Sequence, residues 1–167
     1  PGLIIGSSVR ADGKDRAFVY DTSVSDSLVI VIDPLTITTI YAHSTSGTGI
    51  LKSTNSGKDW QTINRGLTNL TVNSLIIHPE NPDILYAATN RSGYKSTNGG
   101  NSWVSSSDRL LEETKVISLH FDETDKDRIY AGTNFGILYT TNAGNAWILS
   151  NSTNNFSVFN FASHPDN

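Results

Sequence analysis

Ser96-Thr97-Asn98-Gly99-Gly100-Asn101-Ser102-Trp103 is the stretch that decides how this chain folds, because the chain carries three matching versions of it. Ser53-Thr54-Asn55-Ser56-Gly57-Lys58-Asp59-Trp60 comes before it and Thr140-Thr141-Asn142-Ala143-Gly144-Asn145-Ala146-Trp147 after it, with the tryptophans 43 and 44 residues apart. Upstream of each copy stands a second phrase, Ile40-Tyr41-Ala42, Leu85-Tyr86-Ala87 and Ile129-Tyr130-Ala131. A third phrase, apolar and ending in a turn signal, precedes that one: Ile32-Asp33-Pro34, Ile77-His78-Pro79, Phe121-Asp122, and finally Ala162-Ser163-His164-Pro165. Self-similarity at this period marks a repeat architecture before any local element is assigned.

The middle unit shows what each repeat builds. Residues 72–78 alternate apolar and polar side chains and run into Pro79-Glu80-Asn81-Pro82-Asp83, whose residue types end strands. The pattern predicts further strands over 84–89, 93–96 and 103–105, and no helical period is long enough to compete. Four short strands repeated every 40–50 residues are propeller blades, stacked so that each sheet supplies half of its neighbour's core. The fold class expected is therefore all-β: a β-propeller segment of four-stranded blades, and an incomplete propeller. The expected division is a degenerate or partial blade in residues 1–27, blades over 28–71 (box 53–60), 72–115 (box 96–103) and 116–157 (box 140–147), and the truncated start of another in 158–167.

Within the repeated phrase the chain must reverse between the third and fourth strands. The Asn side chain can accept backbone N–H bonds there, the Gly supplies positive φ without a Cβ clash, and the Trp packs beneath the loop. The phrase resembles the Asp-box, or bacterial neuraminidase repeat, written Ser/Thr-x-Asp-x-Gly-x-x-Trp. That resemblance implies a sialidase-like propeller in which Ser53, Asn55, Gly57 and Trp60, then Ser96, Asn98, Gly100 and Trp103, then Thr140, Asn142, Gly144 and Trp147 are structural box positions. All three tryptophans are expected to be buried. The family's Asp is Asn in each copy. One neutral amide oxygen per loop is a poor substitute for a carboxylate cage, so no metal is expected at the boxes.

Composition narrows the chemistry. The 167 residues hold 12 basic and 16 acidic side chains, a net charge of −4, and charged residues make up 17%, so Ser, Thr and Asn must supply most of the polar surface. Zero cysteine removes disulfide scaffolds, Cys-zinc sites, iron–sulfur clusters and thiol nucleophiles. Basic residues stand singly rather than in a stripe, which argues against nucleic acid. No apolar run approaches the ~20 residues of a membrane helix. Four Asn-x-Ser/Thr triplets, at Asn69, Asn90, Asn151 and Asn155, are no more than chance gives in a chain this rich in Asn, Ser and Thr.

The families that share the box each ask for residues that can be sought. Sialidases imply an arginine triad and an early Arg-Ile-Pro; that motif does not occur, and Arg10, Arg16, Arg65, Arg91, Arg109 and Arg128 do not cluster. Xyloglucanase-type hydrolases imply two acids facing across a cleft between two propellers, with inverting hydrolysis needing about 6.5–9.5 Å between carboxyl groups. Acids outside the repeat pattern are the candidates, namely Asp26 and those of Ser107-Asp108-Arg109-Leu110-Leu111-Glu112-Glu113, whereas Asp33 and Asp122 recur and suit turns. Photosystem-assembly propellers imply an arginine-rich face, and sortilin-type receptors a cysteine-rich module; neither shows here. His78 and His164 close equivalent strands, and His43 and His120 stand alone, a poor basis for ligation. The expectation is a non-catalytic extracellular or cell-surface module of prokaryotic type, a structural or protein- or glycan-binding scaffold without cofactor, the alternative being part of a glycoside hydrolase. Its partners would be further blades of a longer polypeptide or a second copy of the chain.

Overall fold

The computed structural model describes residues 3–9, 15–21, 28–33, 35–36, 38–105, 114–150 and 156–162. Strands β1 (Leu3–Val9) and β2 (Asp15–Asp21) form a two-stranded antiparallel sheet. Three four-stranded antiparallel sheets follow. The first holds β3 (Leu28–Ile32), β4 (Ile40–Ser44), β5 (Ile50–Ser53) and β6 (Gln61–Thr62). The second holds β7 (Val72–His78), β8 (Asn81–Thr89), β9 (Gly93–Ser96) and β10 (Val104–Ser105). The third holds β11 (Val116–Phe121), β12 (Ile129–Thr133), β13 (Gly136–Thr140) and β14 (Ile148–Leu149). In each the strands lie side by side in chain order, the meander of a propeller blade, and we call these blades I, II and III. No helix occurs among the described residues.

The second strand of each blade explains why sheets stack. Strand side chains alternate faces, and in β8 Leu85 and Ala87 face one way while Tyr86 and Ala88 face the other. Leu85 and Ala87 join Tyr41, Ile50 and Ile63 of blade I, with Val72, Leu75, Tyr94 and Trp103, in one core. Tyr86 and Ala88 join Val116, Leu119, Ile129, Ala131, Leu138 and Trp147 of blade III in a second core. The Leu-Tyr-Ala phrase thus reads as an instruction: an aliphatic residue for the blade before, an aromatic one for the blade after.

Two features differ from the sequence reading. The five-residue turn expected over 79–83 is a two-residue turn at Pro79–Glu80, and β8 starts at Asn81, opposite His78. The ladder is irregular between Ile77 and His78, and pairing of β8 with β9 begins only at Leu85, so Pro82 sits where its missing N–H breaks no ladder bond. The second difference is a bulge between Val72 and Ser74, repeated between Val116 and Ser118. It lets Asn73 turn toward blade III, where its Nδ2 donates to the Val116 carbonyl at 2.7 Å, while the same amide donates to Asn90 Oδ1 of its own blade at 3.1 Å.

Residues 156–162 carry no strand and lie against blade III. The Val158 N–H donates to the Thr133 carbonyl at 2.9 Å, and the Phe161 ring lies 6.1 Å from those of His120 and Tyr130. Asp26, Asp108, Arg109, Glu112, Glu113, Asn151, Asn155 and His164 fall outside the described residues.

Candidate functional site

The three box loops close with one hydrogen-bond circuit. In blade I Ser53 Oγ accepts the Gly57 N–H at 2.9 Å and donates to Asn55 Oδ1 at 3.0 Å, and Asn55 Oδ1 accepts the Asp59 N–H at 2.9 Å. In blade II Ser96 Oγ accepts the Gly100 N–H at 2.9 Å, and Asn98 Oδ1 takes the Ser96 hydroxyl at 3.0 Å and the Ser102 N–H at 2.9 Å. Thr140 Oγ1 and Asn142 Oδ1 repeat this in blade III toward Gly144 and Ala146 at 3.1 and 2.9 Å. Each contact that the Asn makes in this circuit uses its amide oxygen, so Asn does the work of a carboxylate without its charge. The free Nδ2 adds a donor: Asn55 gives it to Asp59 Oδ2 at 2.7 Å and Asn98 to Ser102 Oγ at 2.8 Å.

The loop needs two successive left-handed residues. Gly57, Gly100 and Gly144 each have φ of 83°, and the residues before them, Ser56, Gly99 and Ala143, have φ of 59°, 63° and 55°. A single non-Gly residue in that region costs about 1–2 kcal/mol. It is held there by one anchor in each blade: the N–H of Ser56, Gly99 or Ala143 donates to the carbonyl of Thr38, Asp83 or Asp127 at 2.9 Å.

That twist points a carbonyl sideways, and the preceding blade grips it. Tyr41 Oη and Lys52 Nζ of blade I both donate to the Gly99 carbonyl of blade II, at 3.3 and 2.9 Å. Tyr86 Oη and Lys95 Nζ of blade II both donate to the Ala143 carbonyl of blade III, each at 2.9 Å. Each ammonium also stands 5.3 Å from the ring of its tyrosine partner. Burial, with the carboxylates of Asp33 and Asp83, pushes the Tyr41 hydroxyl up to about 12, and burial with Asp127 does the same for Tyr86. Both are therefore fixed donors at neutral pH. Burial lowers the Lys95 ammonium, and Asp127 opposes that shift. A cleft of about 230 Å³ between the outer strands of blade II and the box of blade III is the outer mouth of this joint, with Lys95 and Trp147 in its wall.

The tryptophans are not equivalent. Trp103 (3% exposed) and Trp147 (7%) are buried against the blade in front of them, and Trp103 Nε1 donates to the blade I carbonyl of Ile63 at 2.7 Å. Trp60 is 37% exposed and turns its Nε1 back to Gly57 of its own box, at 3.1 Å. The expectation that all three are largely buried is corrected at Trp60, which belongs to neither core: Trp103 and Trp147 are covered by the neighbouring blade, whereas the box loop alone leaves the Trp60 indole partly open.

The remaining candidates are spread out. Arg65 and Arg91 are exposed, and Arg128 Nε lies 3.9 Å from Asp125 Oδ2, so no triad forms among the described arginines. Asp33 and Asp122 close turns, Asp33 Oδ1 accepting from Leu35 N at 2.8 Å and Asp122 Oδ1 from Thr124 N at 2.9 Å. The N–H and hydroxyl of Thr124 hold the Asp122 carboxyl at about 2. His43 is buried with Nδ1 donating to Val72 O at 2.9 Å, and burial keeps it neutral by lowering its affinity for a second proton. His78 stands edge-on to Phe121, ring centres 5.6 Å apart. Among the described residues no three His, Asp or Glu side chains gather as a metal site. The lysines of the joint escaped the sequence reading, although Lys52 and Lys95 each stand one place before the box serine.

Three blades of this kind, closed by Ser/Thr–Asn–Gly–Trp circuits, define a β-propeller of the Asp-box class. Residues 48–167 match the family model Sortilin-Vps10, described as "Sortilin, neurotensin receptor 3", and the chain belongs to that family. No curated protein sequence matches it. Among solved structures, an ancestral GH74 enzyme superposes with a TM-score of 0.64 at 25% identity, over 76% of this chain and 19% of that one. The GH74 enzyme of Niastella koreensis gives 0.63 at 20% identity, over 84% and 27%. The GH74 xyloglucanase of Xanthomonas campestris gives 0.62 at 16% identity, over 75% and 21%. The chain thus spans about a fifth to a quarter of the length of these structures.

Proposed function

We propose that this chain is a non-catalytic, extracellular propeller module, a scaffold that holds blades in register and presents their edges to a protein or glycan partner. What carries the reading is where the polar side chains of the repeat are spent. The box amides accept backbone N–H groups, Lys52 and Lys95 fasten one blade to the next, Asp33 and Asp122 close turns, and His43 binds a backbone carbonyl. A group engaged in this way is not available to activate water or grip a substrate. The test is incubation of the folded chain with xyloglucan and with sialosides, alongside a glycan-binding screen. Binding without release of new sugar ends supports the scaffold, and turnover refutes it.

The likeness to GH74 enzymes supports a second reading, that the chain is part of a glycoside hydrolase. The acids it would use are Asp108 and Glu112, between blades II and III in sequence. Xyloglucan hydrolysis by the full-length polypeptide, lost in Asp108→Asn or Glu112→Gln variants that keep their thermal stability, would favour it.

A further inference from the structure

Asn98 is the one asparagine in the sequence that glycine follows. That pair carries its own chemistry: the main-chain nitrogen of the second residue can attack the side-chain amide carbon of the first, and glycine has no Cβ to hinder the approach. The equivalent box pairs are Asn55-Ser56 and Asn142-Ala143, where a Cβ stands in the way. All three boxes share the same left-handed backbone, so boxes I and III are internal controls for box II.

The fold restrains each group that such an attack needs. The Gly99 N–H donates to the Asp83 carbonyl at 2.9 Å, and Gly99 is buried, so base does not reach that proton. Asn98 Oδ1 accepts the Ser96 hydroxyl at 3.0 Å and the Ser102 N–H at 2.9 Å, and its Nδ2 donates to Ser102 Oγ, which fixes the side-chain amide at three points. From blade I, Tyr41 Oη and Lys52 Nζ grip the Gly99 carbonyl, at 3.3 and 2.9 Å. A Cβ at Gly99 would lie 3.1 Å from Lys52 Nζ, so the neighbouring blade covers this residue closely.

We propose that Asn98-Gly99 is a site of spontaneous covalent modification gated by the joint between blades I and II. When the joint opens, the Gly99 nitrogen bonds to Asn98 Cγ, the Cγ–Nδ2 bond breaks, and ammonia leaves with the Gly99 amide proton. Water then opens the cyclic imide. Cleavage of the new N–Cγ bond leaves aspartate, the residue of the Asp-box pattern, and the circuit closes again because the Ser102 hydroxyl can turn to donate. Cleavage at the main-chain carbonyl leaves isoaspartate, which puts an extra methylene into the backbone ahead of Gly99. The Gly99 N–H and carbonyl then cannot reach Asp83 and blade I together, so this product unlatches the joint that buries Trp103. The inference concerns the chain's own backbone and holds for a scaffold and for a hydrolase segment alike.

The test follows Asn98 by peptide mapping with mass spectrometry while the full chain is kept at mildly alkaline pH, either folded or in guanidinium chloride. In denaturant Asn98 should be the first asparagine to convert, and folding should slow it by roughly tenfold or more. Tyr41→Phe with Lys52→Met should speed conversion of the folded chain about tenfold, with folding checked by circular dichroism. Lys52→Met alone, which removes the shorter of the two bonds, should give a smaller acceleration. Tyr86→Phe with Lys95→Met, which loosens the other joint, should leave the Asn98 rate unchanged. Equal rates in the folded and denatured chain, equal acceleration by the two pairs, no acceleration by Lys52→Met, or faster conversion at Asn55 or Asn142 would each overturn the inference.

Discussion

Replacing Trp103 and Trp60 by alanine separates the contribution of a box tryptophan as a blade-joint residue from its contribution as a loop residue. A tryptophan can bury up to about 250 Å². Exposures of 3% at Trp103 and 37% at Trp60 then differ by about 85 Å², or about 2 kcal/mol at about 25 cal/mol per Å². Trp103→Ala also leaves the buried Ile63 carbonyl without the indole N–H now 2.7 Å away, adding about 1 kcal/mol. The Trp60 indole bonds only within its own loop, so its loss strands no group in another blade. Trp103→Ala should therefore cost about 3–5 kcal/mol, and Trp60→Ala about 3 kcal/mol less. Urea unfolding followed by circular dichroism gives both values from the midpoints at a common slope. Equal losses would refute the reasoning, since the loop and not the neighbouring blade would then supply the tryptophan's stabilisation.

Asn55→Asp should destabilise at pH 7 by about 0.5–1 kcal/mol, because it sets a carboxylate where Asn55 Nδ2 now donates to Asp59 Oδ2 at 2.7 Å. That loss should disappear below pH 3, where carboxylates are protonated. Asn98→Asp should be nearly neutral at both pH values, since the Ser102 hydroxyl can reverse and donate; urea midpoints at the two pH values check both variants. Tyr86→Phe and Lys95→Met should each cost about 1–2 kcal/mol, and in a double-mutant cycle their effects should not add, because both groups donate to the Ala143 carbonyl. Asp122 is held at about 2, below the ordinary 3.8, so its contribution is present above about pH 4 and lost as pH falls through 2. For a side chain open to solvent this amounts to roughly 1 kcal/mol after screening, and Asp122→Asn should flatten that acid limb of the stability profile.

Some of this was legible in the chain and some was not, for reasons that differ residue by residue. The box spelled out at Ser53, Ser96 and Thr140 carries its own hydrogen-bond circuit within a few residues, so its identity and its Asn acceptors could be read directly. The alternation of Leu85, Tyr86, Ala87 and Ala88 likewise announces a strand buried on both faces. Lys52 and Lys95 look like surface residues in sequence, because the carbonyls they bind, at Gly99 and Ala143, lie more than forty positions away. Pro82 suggested a longer turn, since sequence does not show that β9 has not yet begun to pair beside it.

The sequence by itself determined the blade: its period, its four strands and the reversal at each glycine, set by contacts between near neighbours along the chain, while the lack of cysteine excludes thiol chemistry by composition alone. The tertiary structure alone decided the joints. The three tryptophans share one motif, yet Trp103 and Trp147 are buried and Trp60 is not, because burial of a box tryptophan depends on the sheet stacked in front of it. That sheet is folded from residues one repeat away, and no local pattern encodes its presence.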